Sequence, residues 1–190
     1  MKKSVTMLFT FLLLIVVSHP LMEGAIRIKV GGSVNYYVFK DSLFKDIYGT
    51  GGIMLGAFLA LEPIKRLELR GEYNYIQTTG KMTISKEKLT LTLAPIVLGV
   101  RFKVMDTKML SPYIGIGAGT YSLREDYPER IKDVAESTGG YHAEIGAYFK
   151  LMAKVQVDLN LRYVKASIKS FDQEVQLGGF RAGIGIGYTF

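Results

Sequence analysis

The residues of this sequence that are able to do chemistry alternate with apolar ones, and few belong to the types that catalysis requires. His142 is the only histidine after residue 19, and it precedes Glu144 by two positions. A hydrolase or acyltransferase would need this histidine to activate a serine, for which Ser122 and Ser137 are the candidates. No motif marks either serine, and one histidine does not make a histidine-rich metal site. We therefore predict no catalytic residue, no cofactor-binding residue and no metal ligand.

The carboxylates Glu68 and Glu72 have a spacing that suggests acid–base chemistry, but Arg70 lies between them. All three fall on the same parity of one segment, so they share one face if that segment is a strand. Because a buried charge needs an opposite charge beside it, this pattern favours structural ion pairs over acid–base chemistry.

Composition limits the class of protein. The chain of 190 residues has room for one domain, and it contains no cysteine, which excludes disulfides and thiolate metal sites. Its formal net charge of +7 suits either nucleic acid or an anionic membrane surface as a partner. The basic residues alternate with apolar ones instead of forming a patch, so we predict no nucleic-acid binding.

The N-terminal residues have the pattern of a secretory signal peptide. Lys2 and Lys3 precede an apolar run from Val5 to Val17, and Pro20 then breaks any helix. The run is too short to span a membrane, and no later segment is apolar enough for a transmembrane helix. We predict a signal peptide over residues 1–24, with an uncertain cleavage position, and one domain over residues 25–190.

Eight segments of this domain alternate between apolar and polar residues with a period of two, which predicts strands. They are about Ala25–Val38, Gly52–Leu61, Leu67–Gln77, Lys88–Val104, Pro112–Ser122, Gly140–Leu151, Val155–Tyr163 and Val175–Phe190. Strands of about ten residues match the length that crosses a bilayer at a tilt. The connections alternate between long and short, which predicts long outer loops, short periplasmic turns and both termini in the periplasm.

Two positions interrupt this alternation. In the fourth segment the apolar parity switches at Ala94–Pro95, where proline cannot donate to a ladder, so we expect a one-residue bulge. A second bulge is expected at Gly178–Gly179 in the last segment. The longest connection, Leu123–Gly139, carries mixed charges and is expected to form a loop with a short helical turn or a contact site.

Alternation alone does not decide which face is inside. A soluble lipocalin-like barrel would bury the apolar face, whereas a membrane barrel turns it toward lipid. The apolar face carries no charge in any strand centre, and the polar face is rich in glycine, which makes room inside a narrow barrel. Aromatic residues of the apolar face lie toward the strand ends, as in interfacial girdles: Tyr36, Tyr73, Tyr75, Tyr141 and Tyr163 at one rim, and Phe102, Phe149, Tyr188 and Phe190 at the other. These observations favour an all-β, eight-stranded antiparallel up-and-down transmembrane β-barrel.

The inward face of such a barrel is predicted to hold a network of ion pairs that fills the lumen. The predicted lumen charge network consists of Arg27, Lys29, Glu68, Arg70, Glu72, Arg101, Lys103, Glu144, Asp158, Arg162 and Arg181. We expect the basic side chains to lie across glycines of the neighbouring strand. Arg101 and Lys103 would cover the fifth segment, and Arg27 and Lys29 would cover the last.

Several stretches resemble the small outer-membrane β-barrel domain family, which includes the OmpA membrane domain, OmpX, OmpW and the opacity proteins. They are the leader, Pro112-Tyr-Ile-Gly-Ile-Gly-Ala-Gly119, Pro95-Ile-Val-Leu-Gly-Val-Arg-Phe102 and Gly187-Tyr-Thr-Phe190. The resemblance implies a bacterial outer membrane, contact with its lipid and lipopolysaccharide, and no cofactor. It also implies an assembly signal for the barrel assembly machinery at Ile184, Ile186, Tyr188 and Phe190.

The leading functional hypothesis is a monomeric barrel with a structural or surface-interaction role and an extracellular ligand at its long loops. The alternative is a narrow passive channel for small or hydrophobic solutes, similar to OmpW. A membrane-embedded lipid-modifying enzyme is the third hypothesis, and it would depend on His142.

Overall fold

The computed structural model describes residues 26–81, 88–126, 134–170 and 173–190. The predicted signal peptide lies outside the described residues. The strands are β1 (Arg27–Phe39), β2 (Gly51–Ile64), β3 (Leu67–Lys81), β4 (Lys88–Lys103), β5 (Leu110–Asp126), β6 (Val134–Lys150), β7 (Val155–Ser170), β8 (Gln173–Gln176) and β9 (Gly179–Thr189). One helix, α1 (Ser42–Tyr48), lies between β1 and β2. Within the described residues, no helix is long and apolar enough to cross a membrane.

The sheet closes on itself, because β9 pairs antiparallel with both β7 and β1. Ile184 of β9 lies opposite Leu159 on one side and Val34 on the other. All other pairings join antiparallel neighbours, from β1–β2 to β6–β7, with the short β8 added to the far end of β7. The result is the predicted closed, eight-stranded, antiparallel up-and-down barrel, in which β8 and β9 together form the eighth member.

The interruption between β8 and β9 is not the expected bulge. Ser167 pairs with Gln176, and Val164 pairs with Gly179, in one common register. The chain therefore passes through the interruption without an inserted residue.

Five strands, β2, β3, β5, β6 and β7, are longer than the sequence predicted, whereas β1 and β4 have nearly the predicted length. The five contain 14 to 17 residues, because they continue into connections that were expected to be loops. Most of the predicted loop 123–139 belongs to β5 and β6, and its remaining part, 127–133, lies outside the described residues. At the other end the turns are short, and Arg66 takes a left-handed φ of 75° in the tight turn between β2 and β3.

The expected bulge at Ala94–Pro95 is wrong. The strand β4 pairs with β5 in one unbroken register, from Thr90–Asp126 to Lys103–Tyr113. Leu93 is therefore buried inside the barrel with none of its surface exposed, whereas Ile96 points outward and is 59% exposed. Successive side chains of β4 continue to alternate between the inside and the outside of the barrel. At Ala94–Pro95, however, the apolar side chains change from the inward face to the outward face, which is a polarity exchange.

The same exchange occurs in the neighbouring strands. Toward the long connections the outward face becomes polar, at Gln77, Thr79, Thr90, Thr92, Thr120, Ser122, Arg124, Ser137, Lys165 and Ser167. The inward face becomes apolar and forms the outer core: Tyr37, Phe39, Tyr48, Met54, Ile76, Leu89, Leu91, Leu93, Val97, Tyr121, Leu123, Val164, Ala166, Ile168 and Leu177. This half of the barrel has the polarity of a water-soluble β-barrel.

The half of the barrel near the short turns has the polarity of a membrane protein. Its outward apolar band extends over nine positions in three strands, Leu67–Tyr75, Tyr141–Phe149 and Val155–Tyr163. Nine positions cover about 26 Å along a strand, or about 20 Å along the membrane normal at a tilt of about 40°. Tyrosines limit the band on the side of the outer core, and Phe102, Phe149 and Tyr188 lie within two residues of the strand ends near the short turns. The polarity exchange therefore marks one boundary of the membrane.

Candidate functional site in the barrel lumen

Arg101 lies at the centre of the lumen in the membrane-facing half, with none of its side chain exposed. Its Nε donates to Glu144 Oε1 at 2.7 Å and its Nη2 donates to Glu144 Oε2 at 3.0 Å, which makes a bidentate pair. Its Nη1 donates to Tyr148 Oη at 2.7 Å and to Asp158 Oδ2 at 2.9 Å. The guanidinium also lies 4.4 Å from the centroid of the Tyr113 ring. Strands β4, β5, β6 and β7 are therefore connected through one side chain.

Glu72 on β3 forms a second centre, which joins three arginines closely and also accepts from Arg101 Nη2 at 3.5 Å. It accepts from Arg70 Nε at 2.6 Å, from Arg162 Nη2 at 2.9 Å and from Arg181 Nη1 at 3.1 Å. Arg162 also donates to Glu144 Oε2 at 2.7 Å, which connects this centre to Arg101. Three cations around one carboxylate are tolerable only because each has at least one further acceptor or ring contact.

A third layer lies nearer the short turns. Lys29 donates to Glu68 at 2.7 Å and lies 3.4 Å from Glu62, and Lys103 donates to Glu62 at 2.7 Å. Tyr148 donates to Glu68, which joins this layer to the Arg101 centre. Among the described residues, the buried charged side chains of the lumen number six cations and five carboxylates: Lys29, Arg70, Arg101, Lys103, Arg162 and Arg181, and Glu62, Glu68, Glu72, Glu144 and Asp158.

The structure brings together ten of the eleven residues predicted to form this network. Arg27 is the exception, because it is exposed at the end of β1 near the short turns. Tyr113 and Tyr148 belong to the network but were not predicted to, although both lie on the polar parity of their strands. A tyrosine among glycines and charges on an inward parity is the signal that could have found them.

The glycines of β5 accommodate the network as expected, but those of β9 do not. A Cβ atom added to Gly115 would lie 3.1 Å from Arg101 Cγ, so this arginine does lie across β5. Gly187 faces the ring of Phe58, and Gly183 faces Asn35. The expectation that Arg27 and Lys29 cover β9 is therefore wrong, because Lys29 is directed to the carboxylates of Glu62 and Glu68.

The candidate catalytic residues do not form a site. His142 is buried in the lumen, and neither ring nitrogen has a hydrogen-bond partner among the described residues. Ser122 and Ser137 pair with each other on the outward face of β5 and β6, so the barrel wall separates them from His142. The carboxylate of Glu144 is bound by Arg101 and Arg162. In the described part of the chain, no group of histidine and carboxylate side chains is arranged to hold a metal ion.

The outer core fills the remaining length of the lumen. Tyr37 donates from Oη to the Leu177 carbonyl oxygen at 2.6 Å, which ties β1 to the interruption before β9. Tyr48 of α1 donates to Glu125 at 2.8 Å, so the helix is fixed over the end of the barrel. Charged side chains fill one half of the interior, and apolar side chains fill the other.

Residues 9–190 match the family model described as outer membrane protein beta-barrel domain. The chain belongs to this family. It is a bacterial outer-membrane protein. A comparison with curated protein sequences gives no match.

Solved structures of outer-membrane barrels share the fold. Neisserial surface protein A (NspA) is 15% identical with a TM-score of 0.63, over 88% of this chain and 98% of that one. The N-terminal β-barrel domain of Pseudomonas aeruginosa OprF is 13% identical with a TM-score of 0.52, over 86% and 97%. Ail of Yersinia pestis, in complex with the heparin analogue sucrose octasulfate, is 15% identical with a TM-score of 0.51, over 87% and 97%. At these identities the similarity shows the fold alone.

Proposed function

We propose that this protein is a closed, non-conducting outer-membrane barrel with a structural or surface-interaction role. The observation that carries the proposal is that the lumen is filled along its length. The buried charged side chains fill one half of it, and the apolar outer core fills the other. A solute would have to break the Arg101 pairs, in which every donor nitrogen is bonded, and then displace the fully buried Leu93 and Leu177. Both steps oppose a passive pathway, because an unpaired buried charge and an opened apolar core are each costly.

The proposed orientation places the short turns and both termini in the periplasm and the outer core outside the cell. The polarity of the strands supports this, since an outward polar face beside an apolar interior is stable only in water. The strand extensions around α1 would then be the part of the protein that meets lipopolysaccharide sugars and any extracellular ligand. Within the family, short turns face the periplasm.

We also propose that the outward residues of β9, together with Phe190 directly after it, carry the assembly signal read by the barrel assembly machinery. Ile184, Ile186, Tyr188 and Phe190 all point outward and are 40% to 68% exposed. They belong to the strand that closes the barrel against β1. A monomer suits this arrangement, because closure leaves no sheet edge for a second copy.

Electrical recording in planar lipid bilayers tests the proposal. The refolded protein should insert, as judged by heat-modifiable gel mobility of the recovered sample, and it should give no discrete conductance steps. A general porin inserted into the same membranes provides the positive control. Reproducible steps from the folded protein would refute the closed barrel and favour the narrow channel.

The enzyme hypothesis has its own test. His142→Ala should leave the lipid composition of cells that express the protein unchanged relative to wild type. A change in acyl-chain content that depends on His142 would overturn the non-enzymatic assignment.

A further inference from the structure

The barrel mouth at the short turns encloses a cavity of about 400 Å³. Lys29, Lys103 and Glu62 of the lumen charge network form part of its floor, together with Gln156 of β7. The wall and rim carry three further cations, Arg27, Lys150 and Lys154. The cavity thus lies between the filled lumen and the solvent at one end of the barrel.

The charges around this cavity do not balance. Five cations line it, whereas Glu62 is its one lining carboxylate side chain among the described residues. Lys150 donates to Asp106 in the neighbouring turn at 2.5 Å, and Lys103 donates to Glu62 at 2.7 Å. Lys29 lies 2.7 Å from Glu68 and 3.4 Å from Glu62. Counting Asp106 and Glu68 as further anions still leaves five cations against three carboxylate side chains. Arg27 and Lys154 make no ion pair with a described carboxylate.

Gln156 in the floor of the cavity carries a buried donor without a partner in the part of the chain that the structure describes. Gln156 is 7% exposed, and its Nε2 has no hydrogen-bond partner among the described residues. A buried amide without an acceptor costs free energy, which an acceptor entering the cavity would recover. Gln156 lies opposite Lys150 on β6 and Gly187 on β9, and a Cβ atom added to Gly187 would lie 3.7 Å from Gln156 Cγ.

We propose that this mouth is a binding site for a phosphate group. Phosphate carries close to two negative charges and several strong acceptor oxygens, which suits a cavity with excess cations and an unpartnered amide donor. Gln156 is the specificity-determining contact at the floor, and Arg27 and Lys154 neutralise the charge at the rim. The proposal does not depend on whether the barrel conducts.

The test is a phosphate titration of the refolded full-length chain in uncharged maltoside micelles, at constant ionic strength maintained with chloride. Side-chain amide resonances are followed by NMR, and the Gln156 resonance is assigned by its loss in Gln156→Leu. We expect a saturable shift of the Gln156 amide. Because a hydrogen bond to a charged group is worth about 1.5–3 kcal/mol, Gln156→Leu should weaken phosphate binding about tenfold or more. This affinity is measured on the backbone amide of Val155, which lines the cavity in both proteins.

Charge variants distinguish a specific phosphate site from nonspecific electrostatic attraction of phosphate to the basic end of the barrel. Arg27→Gln should weaken binding, and because Arg27 is exposed, this variant should retain the heat-modifiable mobility of wild type. Lys65→Gln is the matched control, since Lys65 is exposed in the turn between β2 and β3 and does not line the cavity. A titration without saturation, or equal weakening by Arg27→Gln and Lys65→Gln, would overturn the proposal.

The source of the phosphate group is decided by repeating the titration in vesicles. If phosphatidylglycerol in phosphatidylcholine vesicles displaces free phosphate from the wild-type protein, the occupant is a lipid headgroup. If phosphatidylglycerol leaves the affinity for free phosphate unchanged, the occupant is a soluble phosphate compound. Both results support the site, provided that Gln156→Leu weakens the binding of the same occupant about tenfold or more.

Discussion

A lysine placed on the outward face of β4 should report the membrane boundary. Leu98 is 48% exposed, points outward and lies opposite Gly71 and Ala118, whereas Thr92 points outward beyond the polarity exchange. Leu98 is six residues from Thr92, which corresponds to about 15 Å along the membrane normal at about 3.3 Å per residue and a tilt of about 40°. Because Gly71 is the central position of the outward apolar band Leu67–Tyr75, Leu98 lies near the bilayer midplane, and Thr92 lies in water.

Leu98→Lys should therefore reduce the free energy of unfolding by about 2–4 kcal/mol, and Thr92→Lys by about 0–1 kcal/mol. Urea unfolding in phosphatidylcholine vesicles measures both values. Heat-modifiable gel mobility and circular dichroism serve as probes, because the chain contains no tryptophan. Equal destabilisation by the two lysines would refute the assignment of the polarity exchange to the membrane boundary.

The cysteine-free sequence allows a second measurement of the same boundary. A membrane-impermeant maleimide should label Thr92→Cys rapidly and Leu98→Cys slowly in vesicles. Labelling at equal rates would contradict the boundary independently of stability.

Three other substitutions test the interior. Arg101→Met should cost about 3–5 kcal/mol, because it leaves buried carboxylates unpaired, while Lys65→Met should cost less than about 0.5 kcal/mol; urea unfolding compares them. Gly185→Leu should abolish the heat-modifiable band, whereas Ile184→Leu should retain it, since only the former adds a side chain to the filled lumen; equal bands would contradict this. Burial raises the pKa of Asp106, but hydrogen bonds donated by Lys150 and Ser111 outweigh the effect of burial and lower this pKa from 3.8 to about 2. Its contribution to stability should thus be complete above about pH 4 and lost as pH falls through about 2, and Asp106→Asn should remove that part of the acid dependence.

The sequence predicts the membrane-facing half well, because a period of two with one uncharged apolar face specifies both the strands and the lipid-facing parity. It predicts the outer half poorly. Leu89, Leu91 and Leu93 obey the same period with the opposite parity, and a local pattern does not show whether an insertion or a change of solvent causes the switch. Only the unbroken register of β4 and β5 distinguishes the two.

The lumen charge network is a similar case. Parity identifies which charges point inward, but the partner of each charge depends on side-chain reach across several strands. Lys29 binds Glu62 and Glu68 from strands β2 and β3, although the strand β9 with its glycines is an immediate neighbour. Arg27 has the correct parity, but it lies beyond the end of the filled lumen.

The polarity exchange also constrains the order in which this protein can assemble. The leucines of β4 that form the outer core are apolar, so they cross the hydrocarbon region at little cost, but they find their partners only on the far side. Formation of the outer core then opposes the return of the strands, since Leu93 and its neighbours would have to leave a packed interior. The outer core therefore opposes withdrawal of the membrane-spanning strands from the bilayer. Leu93→Ala should increase the rate at which the folded barrel leaves the membrane in urea.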